Sequence, residues 1–219
     1  DVIERIKQYL LAARGMSSQV TTILYAVSAM GKDGAQVYRA LTEHSSSKMR
    51  SIAWQRYLSL SSGWQNPELW LPGMRDRDKG VRDAILMSLR GRVKSLKMEQ
   101  LGKLVGSQYR DVRIFAGQSL MTADQEAFDQ YVFDLLIDED TVVRSTTLRA
   151  MGQRRAAGWV RIMSRSLLDD EYVIQRAAMD ALLTDRQEGV KALSEYVAKN
   201  PQARISALAR VELERMGVR

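Results

Sequence analysis

Asp140-Thr141-Val142-Val143-Arg144-Ser145-Thr146-Thr147-Leu148-Arg149-Ala150-Met151 is the stretch on which the fold turns. Asp140 is a helix N-cap by type, because its carboxylate accepts the free N–H groups of a first helical turn. Val143, Thr147, Leu148 and Met151 stand at −1, +3, +4 and +7 from Arg144. Those offsets share one face of a helix with 3.6 residues per turn. Alone, the stretch predicts one amphipathic helix.

The stretch recurs. Lys48-Met49-Arg50, Gly80-Val81-Arg82, Asp111-Val112-Arg113, Val142-Val143-Arg144, Val173-Ile174-Gln175 and Gln202-Ala203-Arg204 end at spacings of 32, 31, 31, 31 and 29. Three residues after each anchor come Ala53, Ile85, Ala116, Thr147, Ala178 and Ala207, mostly small, so a neighbouring helix can approach closely. Seven after come Tyr57, Leu89, Leu120, Met151, Leu182 and Val211. Asp78, Asp140, Glu171 and Asn200 precede their anchors by four residues as candidate caps, and Pro201 suits a first helical position. A second helix precedes each anchor, carrying Tyr38, Trp70, Leu101, Val132 and Met163 twelve residues upstream.

Each unit is therefore expected to be an antiparallel pair, helix A then helix B. The B helices are predicted near 46–60, 79–90, 110–121, 141–152, 171–183 and 201–216. The A helices are predicted near 33–44, 67–75, 97–106, 124–137, 157–168 and 187–198. Residues 2–14 and 18–30 read as a degenerate N-terminal capping pair, with Gln19 lying 31 before Arg50. One pair cannot bury its apolar face alone, and stacked pairs can. The expectation is an all-α solenoid of about seven pairs, one domain over 1–219 with capping pair 1–32 and six regular repeats over 33–216.

The Asp or Asn cap, the Val-Arg anchor and the Ala after it resemble the HEAT-repeat family, in particular the short HEAT-like units of bacterial proteins and of the bilin-lyase group. The resemblance covers about 33–216. It implies a right-handed superhelix. It implies no single function, since the family hosts scaffolds, lyases, hydroxylases and glycosylases.

Composition narrows the choice. No cysteine is present, which excludes disulfides and thiolate sites and fits reducing and oxidising compartments equally. His44 is the single histidine and follows Glu43, so the paired His-Glu motifs of the family's metal-dependent hydroxylases are missing. His44 is expected to be solvent-exposed or helix-capping, and neither metal nor cofactor is expected. The chain begins at Asp1 without a Met or a signal-like segment, as a processed or excised piece would. The net charge of +7 admits anionic partners. Residues 75–97 and 149–165 are basic, yet 122–141 carries seven acids and no base. That interruption argues against a continuous phosphate track.

Three sets of residues stand out. The ladder Arg50, Arg82, Arg113, Arg144 and Arg204, broken by Gln175, reads as a repeated internal bond to acids or carbonyls rather than as a row of cations for a ligand. Offsets +1 and +5 lie on one B-helix face, expected to form a concave ridge. Its residues are Gln55, Met87, Gln118, Arg149 and Asp180 at +5, with Ser51, Asp83, Ile114, Ser145 and Arg176 at +1. This mixed surface suits a protein or peptide better than a phosphate backbone. Trp54 and Trp70 occupy core positions, Trp159 opens a helix below Arg154 and Arg155, and Trp64 lies in a polar break where it could touch a partner.

The reading is a non-catalytic protein–protein interaction scaffold. The alternative is a HEAT-like DNA-binding protein or alkylpurine DNA glycosylase. A glycosylase needs an Asp between aromatics in a basic groove, and neither Asp83 nor Asp180 has a Trp or Tyr on its ridge.

Overall fold

The computed structural model describes residues 2–92 and 96–218, which form helices and turns and no strand. The helices are α1 Val2–Ala12, α2 Ser18–Ala29, α3 Lys32–Leu41, α4 Ser47–Leu60, α5 Pro67–Trp70, α6 Lys79–Leu89, α7 Met98–Val105, α8 Arg110–Ser119, α9 Gln125–Leu136, α10 Thr141–Arg154, α11 Trp159–Ser166, α12 Tyr172–Leu182, α13 Glu188–Lys199 and α14 Arg204–Arg215. The architecture is an all-α solenoid of helix pairs. Helix A lies on helix B in α3/α4, α9/α10, α11/α12 and α13/α14, and B helices stack as α4 on α6 and α10 on α12. The chain divides into two compact units, one ending at Val112 and one beginning at Arg113.

The B-helix stripe forms the core of each. In the first unit Met49, Ala53 and Tyr57 of α4 and Val81, Ile85 and Leu89 of α6 are buried. In the second, Val143, Thr147 and Met151 of α10 and Ile174, Ala178 and Leu182 of α12 are buried. Each large aliphatic side chain so buried contributes roughly 1.5–3 kcal/mol. Thr147 sits there because its hydroxyl is satisfied by the carbonyl of Val143 at 2.9 Å. Asp78 and Asp140 cap α6 and α10 as their type requires, accepting N–H bonds from Val81 and from Val142 and Val143.

Four expectations change. The helix predicted over 67–75 is one α-turn, α5, followed by a 3-10 turn Leu71–Arg75. Pro72 offers no N–H to an α-helix. Gly73 presses so close that a Cβ there would stand 2.5 Å from Ile85 and 2.8 Å from the Trp54 ring. The last B helix starts at Arg204, with Pro201 in the turn before it and Asn200 at the end of α13. Its buried stripe is Ile205, Ala209 and Leu213, so Ala207 and Val211 are exposed. The sixth repeat therefore sits two residues later than its Ala203-Arg204 suggests. At the N-terminus, Gln19 is exposed and the α2 stripe is Val20, Leu24 and Val27, capped by Ser17 accepting from Val20 N–H.

Candidate interaction surface

The turn from helix A to helix B is built around a position six residues before each ladder residue. His44, Asp76, Ser107, Asp138 and Asp169 occupy it. In each, the side chain accepts the N–H two residues on: Ser46 to His44 Nδ1 at 3.0 Å, Asp78 to Asp76 at 2.9 Å, Tyr109 to Ser107 at 3.2 Å, Asp140 to Asp138 at 2.8 Å and Glu171 to Asp169 at 2.9 Å. Such short polar residues close the turn because their oxygen or nitrogen imitates a backbone acceptor. The carbonyl of this position then accepts from the ladder residue: Arg50 to His44 at 2.9 Å, Arg82 to Asp76 at 2.8 Å, Arg144 to Asp138 at 2.8 Å and Gln175 to Asp169 at 2.7 Å. In the last repeat Ser206 donates to Asn200 at 2.7 Å. Ser206 lies 31 after Gln175 and holds the ladder place assigned from sequence to Arg204. Arg204 instead lies over the Tyr172 ring at 4.1 Å.

Three ladder arginines also strap one repeat to the next. Arg50 grips Asp76 through Nε and Nη2 at 2.6 and 2.9 Å. Arg113 grips Asp138 at 2.7 and 3.1 Å. Arg82 finds Ser107 at the next turn, which carries no carboxylate, and reaches Asp111 at 2.8 and 3.0 Å instead, stacked over Tyr109. The Arg50 hydrogen bond, above all, holds the Asp76 carboxyl below its usual range, against the opposing effect of burial. Arg144 differs: its bonds go to the Asp138 and Glu139 carbonyls, and no carboxylate of the described residues pairs with it. His44 is 3% exposed and Ser46 is the N-cap of α4, so His44 is neither solvent-exposed nor the helix cap; it closes the turn by accepting the Ser46 N–H, and its Nε2 has no hydrogen-bond partner.

The B-helix positions at offsets +1 and +5 are mixed. Gln55 and Met87 in the first unit, and Gln118 and Arg149 in the second, are exposed; Met87 is 75% exposed. Asp83 is held by Lys79 of its own helix at 2.6 Å, and Arg176 pairs with Asp180 at 2.7 Å. Both carboxylates named for a glycosylase are thus engaged one helical turn away. Ser145, assigned to the ridge, is buried and donates to the Val142 carbonyl. Gln55 borders a small depression of about 130 Å³ with Tyr25 and Arg56. Trp64 lies in a 3-10 turn, Ser62–Gln65, half-buried, and its carbonyl accepts the Trp70 indole N–H at 3.2 Å. Trp54, Trp70 and Trp159 are buried.

The basic stretches are partly spent on structure. Arg154 donates to the carbonyls of Leu120 and Ala123 and lies over Phe128, and Arg155 reaches Asp185 at 3.6 Å. Residues 93–95 of the stretch 75–97 lie outside the described residues. Among the described residues no cluster of acids and His could hold a metal, and no helix is long and apolar enough to cross a membrane.

A solved structure, "Crystal structure of the archaeal HEAT-like repeats protein from Thermococcus onnurineus NA1", matches with a TM-score of 0.60 over 97% of this chain and 94% of that one. The fold is a HEAT-like repeat fold. At 12% identity the match carries the fold alone. No family model and no curated protein matches the chain. The HEAT-like unit here is the helix pair with its turn residue and ladder residue.

Sequence reasoning found the ladder and missed its counterpart at the turn. The signal existed: His44, Asp76, Ser107, Asp138, Asp169 and Asn200 are spaced by 32, 31, 31, 31 and 31. Four residue types fill the position, and Asp holds only three of the six places, so no one residue marks every repeat. Only the shared ability to accept or anchor a hydrogen bond links them.

Proposed function

We propose that this protein is a non-catalytic interaction module that binds a protein or peptide partner through its exposed B-helix positions. Gln55 and Met87 carry the contacts in the first unit, Gln118 and Arg149 in the second, with Asp83 and Arg176 beside them and Trp64 as a loop contact. The carrying observation is Met87, a large apolar side chain 75% exposed on a helix whose opposite face is fully packed. Exposed apolar side chains flanked by amides and both charges suit protein recognition, where aromatic and Met anchors are enriched. Arg50, Arg82 and Arg113 contribute order, not ligand contacts, because their guanidinium forks are already filled by carboxylates of this chain.

The test is a set of single alanine replacements at Met87, Gln118 and Arg149, measured against the partner co-purified from the native cells. Affinity should fall with unchanged unfolding curves. A parallel titration with duplex DNA at several salt concentrations should give weak binding that disappears near physiological salt. Tight binding, with roughly 0.9 units of log–log salt slope per phosphate contacted, would replace this reading with nucleic-acid binding. Base release from alkylated DNA, abolished by Asp83→Asn or Asp180→Asn, would replace it with the glycosylase.

A further inference from the structure

The residue just before each turn position is exposed in every repeat: Glu43, Arg75, Gly106, Ile137, Leu168 and Lys199. Four of the six are charged or glycine, as an exposed helix end should be. Ile137 and Leu168 are 79% and 65% exposed and gain nothing from the core. Together with Phe133, 60% exposed, they rim one groove of about 480 Å³ in the second unit, at the ends of α9 and α11. That volume lies in the range of ligand pockets, ~300–1,000 Å³. The two comparable grooves of the first unit carry no large exposed apolar side chain on their rims; Glu68, Arg75 and Lys103 border one, and Arg39, Glu43 and Glu68 the other.

Arg144 lies in the wall of the apolar groove, with exposed Arg165 and the turn residue Asp169. In Arg50, Arg82 and Arg113 the guanidinium fork is filled by a carboxylate of this chain. Arg144 keeps its two carbonyl bonds but presents its fork to no carboxylate among the described residues. Asp169 has one oxygen committed to the Glu171 N–H, leaving the groove with two cations against one anion.

We propose that this groove is a second docking site, apart from the B-helix ridge, for a partner-protein segment carrying an Asp or Glu flanked by large apolar side chains. The segment's carboxylate fills the Arg144 fork as Asp76 fills that of Arg50, a bidentate pairing that fixes orientation. Its apolar side chains cover Phe133, Ile137 and Leu168, which water now surrounds.

A random peptide library displayed on phage, panned on the wild-type protein and counter-selected on Ile137→Ser/Leu168→Ser, tests this. Both replacements are at exposed positions and should leave the fold intact, as circular dichroism will check. Enriched peptides should carry an acid within four residues of two Leu, Ile, Met, Phe or Trp. The synthetic peptide should bind tenfold or more weakly to Leu168→Ser and to Arg144→Gln. Gln preserves the carbonyl bond, as Gln175 does in the next repeat, and removes only the charge. Replacing the peptide's acid by Ala should weaken binding to wild type and change nothing further in Arg144→Gln. Gln118→Ala should bind as wild type does. No enrichment, enrichment of peptides lacking acids, or full affinity in Arg144→Gln overturns the proposal. Dodecanoate binding in the groove without any enriched peptide would assign it to a lipid-like ligand and overturn it equally.

Discussion

Arg50 reaches across 26 residues to Asp76 and holds both carboxylate oxygens, Nε to Oδ2 at 2.6 Å and Nη2 to Oδ1 at 2.9 Å. Both side chains are 12% exposed, so water screens the pair little. The same guanidinium donates to the His44 and Ser45 carbonyls. One side chain thus closes its own turn and fastens the following one. Arg50→Ala leaves a largely buried carboxylate and two carbonyls without their donor and should cost about 2–3 kcal/mol in urea unfolding. Arg50→Lys should recover only part of this, because an ammonium cannot make the fork. Arg144→Ala, which breaks carbonyl bonds alone, should cost less, about 1–2 kcal/mol.

Asp76 makes stability depend on acid. Its folded-state pKa is lowered below the ordinary 3.8, chiefly by the Arg50 hydrogen bond. A carboxyl with a lowered folded pKa stabilises fully above the unfolded value, and that stability is lost as pH falls through the folded value. Asp76→Asn should therefore be less stable than wild type at neutral pH. The two unfolding curves should converge below the folded-state pKa of Asp76. A difference that persists undiminished at the acid end would mean that shape rather than charge is what Asn removes.

Gly189 begins α13 against the end of α12. A Cβ there would stand 2.2 Å from the Leu182 carbonyl oxygen, a backbone atom that cannot swing aside. Gly189→Ala should lower stability by about 1–3 kcal/mol despite the higher helix propensity of Ala. Thermal melting read by circular dichroism will show it as a fall in Tm.

The last repeat offers a paired test. Ser206 is fully buried and donates to the Asn200 carbonyl at 2.7 Å. Ser206→Ala should cost about 1–2 kcal/mol, since that carbonyl loses its side-chain donor. Arg204→Ala removes only an exposed stack on Tyr172 and should cost less than about 1 kcal/mol. Equal losses in the two variants would restore Arg204 to the ladder.

The helix pairs were legible because burial repeats with the helical period: Met49, Val81, Val112, Val143 and Ile174 are all buried before the ladder residue. The sixth register was not, because Ala203-Arg204 imitates Val-Arg two residues before the buried pair Ile205-Ser206. The 67–75 segment misled for a different reason. Its spacing was right, and the break comes at Pro72, which offers no N–H to continue the helix, beside the close approach of Gly73 to Trp54. Among the offset positions, Gln55, Met87, Gln118 and Arg149 are exposed, whereas Ser145 is buried because its hydroxyl bonds backward to Val142. The apolar groove was invisible in the sequence, since Ile137 and Leu168 look like ordinary core residues until their exposure is known.

The ladder also shrinks along the chain, from Arg at 50, 82, 113 and 144 to Gln at 175 and Ser at 206. Straps end at Asp138; beyond it, ladder residues fasten only their own turn. Local opening follows the weakest fastening. Fraying therefore has a direction: amide protons of α13 and α14 should exchange with solvent before those of α4 and α6, and the chain should unzip from its C-terminal end.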